Sequence, residues 1–368
     1  MDFKYTLNQD FLKALLEAKS PSGYEKNATD VFWGYLMKYA KYEFKDSIGN
    51  VAFSYGSDAK DSIEVMLSGH VDEIGLQVQN IDDKGFIHFI KDGGIDAKVL
   101  LGSTVTILTK NGELKGVIGK QPIHIEWNGE NKDKATKITD MKIDVGAENK
   151  EEVFEMGVRI GDPITIDDIP LMLGKNRIVG RGLDDKVGVF VTAEVIRTLR
   201  ENDIQFKHLK VFGVACTQEE VSGSGAVSAA KLINPDFSID YDVTFATDDE
   251  YVSPNEWGDI KLGKGGGIAF GPDCNPKLSN FIRETCEKEN IPHQEFSVRS
   301  GGTNTVHIKK SSLDTTTALL SIPNRNMHTQ VEVCDLRDLE SLVIMTVATL
   351  VRLDEEINAS DEKGTKYK

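Results

Sequence analysis

The hydrophobic positions near the start of the chain recur with helical spacing. Between residues 9 and 39 they form two apolar faces, made of Phe11, Leu12, Leu15 and Leu16 and then of Val31, Phe32, Tyr35, Leu36 and Tyr39. A spacing of about three to four residues predicts two amphipathic helices. A turn at 47–50 then joins two short alternating segments, and the apolar run at 63–67 predicts a more buried strand. His70 therefore lies just past the carboxyl end of a predicted strand.

The pattern changes between about residues 73 and 168, where short alternating runs are separated by turn pairs. The runs are Ile74–Val78, Phe86–Ile90, Val105–Leu108 and Leu114–Ile118. Pairs such as Lys84-Gly85 and Asn111-Gly112 between such runs are typical of β-hairpins. This stretch predicts a small all-β unit.

Strand and helix patterns alternate after Pro170. The predicted helices are 187–199, 225–232, 278–289 and 336–353, and the predicted strands are 209–215, 243–246, 296–298 and 319–322. This alternation predicts an α/β layer built on a largely parallel sheet. Because the opening segment is also α/β, the simplest arrangement is one catalytic domain, residues 1–70 and 169–353, interrupted by a β insert at 71–168. The charged tail, 354–368, is expected to be frayed.

Composition narrows the range of partners. The 368 residues include 43 Lys+Arg and 59 Asp+Glu, a formal net charge of −16, which weighs against nucleic acid and anionic membrane as partners. No apolar run approaches the roughly 20 residues of a membrane helix, and the amino terminus lacks the pattern of an export signal. Four cysteines, scattered singly, fit a reducing compartment. We therefore expect a cytoplasmic protein.

Several side chains that can bind metal follow predicted strands or precede a helix. His70 and His328 lie at strand exits, and acidic residues stand at 184–185, 219–220 and 248–250. Any one of them alone would be interpreted as a hydrogen-bonded loop histidine, a helix cap or a solvated loop. The carboxyl ends of strands in an open α/β sheet form its binding crevice, so the set predicts a shared site. The proposed ligands are His70, Asp184, Glu220, Asp248 and His328. Such a mixed nitrogen and oxygen set suits two divalent ions, zinc or cobalt and also manganese.

The sequence resembles the cytosolic tetrahedral aminopeptidases of metallopeptidase family 42, also called glutamyl or deblocking aminopeptidases and sometimes endoglucanases. The motifs that carry the resemblance are, in order, Pro21–Glu25, Gly49–Asn50, Gly69–Gly75, Gly116–His124, Gly161–Pro163, Leu183–Lys186, Gln218–Gly225 and Ile322–Thr329. The resemblance implies a mixed, largely parallel sheet flanked by helices, as in zinc aminopeptidases. It also implies that the insert is a small β-barrel that helps to assemble a homododecamer acting on short peptides.

The same resemblance implies a role for each site residue. Asp184 would bridge two ions, with His70 and Asp248 on one ion, Glu220 and His328 on the other, Glu219 as general base, and Asp72 orienting His70. Two positions depart from the family pattern. Asn304 stands where an aspartate is usual, and Asn326, after Arg325, stands where an aromatic residue is usual. Asn304 and Arg325 are therefore expected to contact substrate, with Asn304 disfavouring basic amino-terminal residues.

Two other interpretations remain open. A glycoside hydrolase needs only two carboxylates, but it would give His70 and His328 no role, and the chain has only three tryptophans for a polysaccharide groove. A non-catalytic peptide-binding member of the family is the other alternative, for which Asn304 is the only indication.

Overall fold

An eight-stranded mixed sheet forms the centre of the larger domain. The computed structural model describes residues 3–122, 124, 136–167 and 170–360. The strands of this sheet are β1 (Lys41–Lys45), β2 (Val51–Gly56), β3 (Ile63–His70), β12 (Leu209–Cys216), β13 (Phe237–Phe245), β14 (Gly266–Phe270), β15 (His293–Ser297) and β16 (Thr316–Asn324). Their order is β1-β2-β12-β3-β13-β16-β14-β15. The neighbours β12, β3, β13 and β16 run parallel, so their carboxyl ends meet at one edge. The predicted mixed, largely parallel sheet is confirmed.

Helices cover both faces of this sheet. The larger core packs five helices on one face: α1 (Gln9–Glu17), α2 (Lys26–Leu36), α5 (Leu183–Glu201), α8 (Pro276–Glu289) and α10 (Leu336–Ser360). A smaller core packs α6 (Ser224–Ile233) and α9 (Asn304–Ser311) on the opposite face. Because the strands are buried on both sides, their apolar residues do not show the simple alternation of a half-exposed strand.

Alternation along the strands decides which face carries the polar residues. Val65 and Leu67 of β3 belong to the larger core, whereas Met66 belongs to the smaller one. Successive side chains in a strand point to opposite faces, so His70 lies on the same face as Met66. By the same rule Asp242 of β13 lies opposite Tyr241, which belongs to the larger core. Both polar residues therefore lie on the face of the smaller core, at the carboxyl end of the sheet.

A closed six-stranded barrel forms the insert. Its strands are β4 (Gly75–Ile81), β5 (Ile87–Asp92), β6 (Thr104–Thr109), β7 (Gly112–Ile118), β8 (Ile143–Asp144) and β9 (Pro163–Ile166), closed in the order β4-β5-β8-β7-β6-β9. Two short helices, α3 (Ala97–Leu100) and α4 (Lys150–Glu155), and a 3-10 turn (Ile138–Asp140) accompany them. The barrel has an apolar core of its own, which confirms the predicted all-β unit. Residues 168 and 169, and part of the motif at 116–124, lie outside the described residues, so the domain boundaries stay a prediction.

A separate three-stranded sheet precedes the last helix. It contains β10 (Leu171–Leu173), β11 (Arg177–Gly180) and β17 (Glu332–Asp335). A one-turn helix, α7 (Pro254–Trp257), follows β13. No helix among the described residues is long and apolar enough to cross a membrane.

The helix α10 continues past the predicted start of the tail. Ile357 is buried against the larger core, and the Asp354 carboxylate accepts hydrogen bonds from the backbone N–H groups of Lys207, His208 and Leu209. The expectation of a frayed segment beginning at 354 is therefore wrong for residues 354–360, because these contacts hold the helix down. Residues 361–368 lie outside the described part of the chain.

Candidate metal centre

Two groups of metal-ligating side chains meet at the carboxyl edge of the sheet. One group is His70, Asp184 and Asp242, and the other is Asp184, Glu220 and His328. Within each group the ligating atoms all lie within 4.8 Å of one another. Asp184 belongs to both groups, so it lies between two positions at which an ion can be held.

The Asp184 carboxylate faces one histidine with each oxygen. Its Oδ1 lies 3.1 Å from Nε2 of His70, and its Oδ2 lies 3.2 Å from Nε2 of His328. Asp184 stands in the first turn of α5, where its backbone is not helical (φ −76°, ψ 107°). The chain there turns from β11 into the helix, which brings the side chain to the edge of the sheet. This arrangement matches a carboxylate that bridges two cations.

Asp242, rather than the predicted Asp248, accompanies His70. The strands β3 and β13 pair in parallel with Ser68 opposite Asp240, so two residues further along each strand His70 and Asp242 lie at the same level. Asp248 belongs to neither ligand group; its carboxylate instead pairs with Arg325 at 2.7 Å. Asp248 was predicted because it follows a strand end, but His70 is itself the last residue of β3. Its partner must therefore come from within β13.

Asp72 holds the loop that carries the two glutamates. Its Oδ1 accepts the backbone N–H of Glu219 at 3.0 Å and its Oδ2 that of Glu220 at 3.2 Å. The Ser22 hydroxyl donates to Oδ2 at 2.5 Å. On its other side, Nδ1 of His70 lies 3.1 Å from the Asp72 carbonyl oxygen. Asp72 is fully buried, and it lies beside His70, where the sequence predicted an orienting residue.

The two glutamates are directed to different places. Glu220 joins the ligand group of His328, with 3.6 Å between Oε2 and Nε2, and its buried Oε1 makes no hydrogen bond. Glu219 belongs to neither group; its Oε2 lies 3.8 Å from Nε2 of His70. Gln218, just before them, has a left-handed backbone (φ +57°), which turns the chain at the end of β12. Glu219 thus stands beside the centre without being one of its grouped ligands.

The barrel reaches the centre through a backbone carbonyl. Nδ1 of His328 lies 2.8 Å from the carbonyl oxygen of Gly94, in the loop after β5. A carbonyl only accepts, so Nδ1 donates to it, and Nε2 is the ring nitrogen that faces Asp184 and Glu220. Nε2 donates to Asp184 while it is protonated, and it would offer its lone pair to an ion once that proton is lost. His328 has a left-handed backbone (φ +63°), and its N–H donates to Oε1 of Glu332 at 2.8 Å. His328 is therefore held from both the barrel and the larger domain.

The electrostatics of these side chains favour a bound cation. Burial, with repulsion from Asp184, raises the pKa of Glu220 well above its usual value, and burial raises that of Asp242 in the same way. The hydrogen bond to Asp184 raises the pKa of His328 to about 10. Oδ2 of Asp242 is buried without a hydrogen-bond partner, as is Oε1 of Glu220. A divalent ion in each ligand group would satisfy these oxygens and offset the repulsion, so the residues fit the metals predicted from the sequence.

The chain matches a known protein family over most of its length. Residues 49–345 match the family model of the M42 glutamyl aminopeptidases. The chain belongs to this family. The M42 chain is 35% identical to the lysyl aminopeptidase of Pyrococcus furiosus over 353 residues, which cover 94% of this chain and 97% of the relative. The predicted resemblance is confirmed.

Solved structures of tetrahedral (TET) aminopeptidases share the fold. The enzyme of Thaumarchaeota archaeon SCGC AB-539-E09 matches with a TM-score of 0.88 and 31% identity, covering 95% of this chain and 97% of that one. The TET1 peptidase of Pyrococcus horikoshii, which can assemble into a tetrahedron or a large octahedral shell, matches with a TM-score of 0.82 and 31% identity, covering 92% and 98%. Peptidases of the M42 family depend on metal, and the two ligand groups are where this aminopeptidase can hold it.

A cavity of about 710 Å³ opens over the centre of the M42 chain. Its lining includes the site residues His70, Asp184, Glu219, Glu220, Asp242 and His328, and the apolar side chains of Val221, Val243, Phe245, Trp257, Phe296, Val298 and Met327. Asn304 and Arg325, the two expected substrate contacts, are not among the residues that line this cavity, although Thr303 is. Asn304 is 1% exposed in the first turn of α9, and Arg325 is paired with Asp248, so their contact with substrate stays a prediction.

Three groups at the centre were missed from the sequence: Asp242, Glu332 and the carbonyl of Gly94. For Asp242 the signal was present, because Ser238, Asp240 and Asp242 recur at alternate positions on the polar face of one strand. The other two carry no local signal. Gly94 contacts His328, and Glu332 contacts Asp184, across long separations in sequence. Only the contact between Glu332 and His328 is local.

Proposed function

We propose that this M42 aminopeptidase removes amino-terminal residues from short peptides at a centre of two divalent ions, zinc or cobalt, with manganese as a further candidate. His70, Asp184 and Asp242 would hold one ion, and Asp184, Glu220 and His328 the other. The observation that carries the proposal is the pair of ligand groups that share Asp184. Asp242 takes the place that was predicted for Asp248.

Glu219 is the general base in this proposal. When bound, the two ions polarise the peptide carbonyl and lower the pKa of water toward about 7. The Glu219 carboxylate lines the cavity beside His70 and can accept the proton of the attacking water, then return it to the departing amine. Burial raises the pKa of Glu219. A raised pKa lies nearer to neutral pH, which suits a carboxyl group that must both accept and release a proton.

The surrounding residues position the base and the ligands and shape the place of the substrate. Asp72 fixes the backbone of Glu219 and Glu220, and so sets the distance between base and ligand. Two bound ions would offset most of the negative charge of the carboxylates at 184, 219, 220 and 242, and an ion with an open position could hold a free α-amine but not an acylated one. The apolar side chains that line the cavity favour a peptide whose first side chain is bulky and uncharged.

The proposed assembly is a homododecamer that forms through the barrel at 71–168. It is supported by TET1 of Pyrococcus horikoshii, which has been solved as a dodecamer. Light scattering of the intact chain, and of one with the barrel replaced by a short linker, tests this. A shortened chain that still ran as a dodecamer would contradict the role of the barrel.

Metal content and peptide hydrolysis test the chemistry together. Chelation is expected to abolish aminopeptidase turnover, and Co²⁺ or Zn²⁺ to restore it. Glu219→Gln is expected to keep two ions per chain and to lose about 10²–10⁴-fold in kcat, the scale of general acid–base assistance. The exposed Glu250→Gln serves as the control and should match the wild type. If Glu219→Gln lost an ion, Glu219 would be a ligand and not the base.

The alternative functions predict different results. A glycoside hydrolase would cleave cellulose in the presence of chelator, and it leaves the contacts of His70 and His328 with Asp184 without a role. A non-catalytic peptide-binding protein would bind peptides without cleaving them even when loaded with metal.

A further inference from the structure

A buried carboxylate below the centre contacts the backbone of two proposed ligands. Oε2 of Glu332 accepts the backbone N–H of Asp184 at 3.0 Å, and Oε1 accepts that of His328 at 2.8 Å. Glu332 is 2% exposed and belongs to neither ligand group. Each carboxylate oxygen therefore holds one ligand residue through its main chain, without taking part in either ion's set of side chains.

The position of Glu332 follows from strand pairing. It begins β17, which pairs antiparallel with β11, and it lies opposite Gly180. From Gly180 the chain turns within four residues into Asp184, whose side chain occupies the middle of the centre. On its other side β17 follows the loop of His328, which an isolated bridge between Arg325 and Val333 closes. Glu332 thus stands where the two segments that deliver Asp184 and His328 come together.

We propose that Glu332 is a positioning residue that sets the distance between Asp184 and His328, and with it the site of the ion that they share. The inference rests on the proposed function, because it presumes a metal centre. His328 adopts a left-handed backbone, which disfavours most residues other than glycine, so its N–H bond to Glu332 helps to keep it there. Asp72 acts in the same way on Glu219 and Glu220, so all three residues of the group Asp184, Glu220 and His328 are held through their backbone N–H by a buried carboxylate clamp.

A carboxamide cannot replace this clamp. Glutamine has one acceptor oxygen, so in Glu332→Gln one of the two N–H groups would face an NH₂ group instead. Residues that orient metal ligands typically contribute about 10–100-fold to metal affinity or activity. We expect Glu332→Gln to bind Co²⁺ about 10–100-fold more weakly at one or both sites, with a changed visible absorption spectrum of bound Co²⁺ and a lower kcat at similar KM.

Asp338 offers a matched control. It is fully buried, and it accepts the backbone N–H groups of Gly263 and Gly265, each at 2.7 Å, but it contacts none of the proposed ligands. Asp338→Asn removes the same kind of clamp elsewhere in the fold. It is expected to lower the melting temperature of the chelated protein as much as Glu332→Gln does, while the affinity for Co²⁺ and the Co²⁺ spectrum stay those of the wild type.

The experiment is a Co²⁺ titration of the chelated full-length chain, followed by calorimetry and visible absorption. Wild-type affinity and spectrum in Glu332→Gln would overturn the inference, as would an equal change in Asp338→Asn. If Glu332→Gln does not fold, Glu332→Asp keeps both oxygens but is one methylene shorter; it should also weaken binding, and wild-type affinity in it would likewise overturn the inference. Failure of the proposed function gives a different result, because then the wild type itself would bind no Co²⁺.

Discussion

Replacing Asp242 and Asp248 separately distinguishes a metal ligand from a structural ion pair. The two residues lie six positions apart, Asp242 within β13 and Asp248 shortly after it, but only Asp242 belongs to a ligand group. Asp242→Asn removes an anionic ligand from the ion held with His70. Metal content is expected to fall from two ions per chain to about one. The rate of peptide hydrolysis is expected to fall by at least about 100-fold, because even the loss of a residue that only orients a ligand can cost that much.

The stability of the chelated protein should change in the opposite sense for the two variants. Burial raises the pKa of Asp242, so at neutral pH the folded state ionises it less readily than the unfolded state, and its charge opposes folding. Asp242→Asn should then leave the chelated protein as stable as before or more so. Asp248 pairs with Arg325 through two contacts, at 2.7 and 3.0 Å, and their side chains are only 17% and 21% exposed. Loss of this charged pair is expected to cost about 1.5–3 kcal/mol in Asp248→Asn.

Elemental analysis of metal per chain and thermal unfolding after chelation together give the answer. Asp248→Asn should keep two ions while it melts at a lower temperature, and Asp242→Asn should lose one ion without that penalty. Two ions in Asp242→Asn together with one in Asp248→Asn would refute the assignment. It would mean that β13 is displaced along β3 relative to the observed register.

Two further substitutions test other contacts. In Gly94→Ala the new Cβ would come 2.8 Å from Nδ1 of His328, so the ring must move and Co²⁺ should bind more weakly at one site by calorimetry; two unchanged sites would show that the carbonyl contact is dispensable. Asn304→Asp would bury a carboxylate that has no cationic partner, so we expect a lower melting temperature at pH 7 than at pH 5 and an unchanged ranking of Lys, Leu and Glu substrates. A shift toward Lys would instead support the substrate contact expected from the sequence.

The sequence predicted the elements whose periodicity is strong. The helix expected at 187–199 is the middle of α5, Leu183–Glu201, and the strand expected at 209–215 is β12, Leu209–Cys216. The strand β13 was predicted only from residue 243, because Ser238, Asp240 and Asp242 place polar side chains in a fully buried strand. Asp240 accepts a hydrogen bond from the Ser68 hydroxyl, whereas Asp242 keeps one buried oxygen without a partner and belongs to the ligand group of His70. Pattern rules that expect apolar residues in a buried strand cannot recognise this.

The predicted site residues differ in how well the neighbouring sequence identifies them. His70, Asp184, Glu220 and His328 lie next to glycines or strand ends that mark turns, and the structure brings these four together. Asn304 was assigned to the substrate because its motif departs from the family pattern, yet its side chain is buried and is not part of the cavity lining. A motif shows that a position is constrained, but it does not show whether the constraint comes from packing or from a ligand.

The two ligand groups depend on the fold in different ways. His70 and Asp242 come from adjacent strands of one sheet, and His70 is oriented by the carbonyl of Asp72, which precedes the first barrel strand, so the first group needs no contact from the barrel strands. His328 is oriented by the carbonyl of Gly94, which belongs to the barrel loop. The ring of His328 therefore has its orienting hydrogen bond only when the barrel loop lies against it. A disturbance of the barrel should therefore weaken the ion held by Glu220 and His328 before it affects the other, and this is the asymmetry that Gly94→Ala measures.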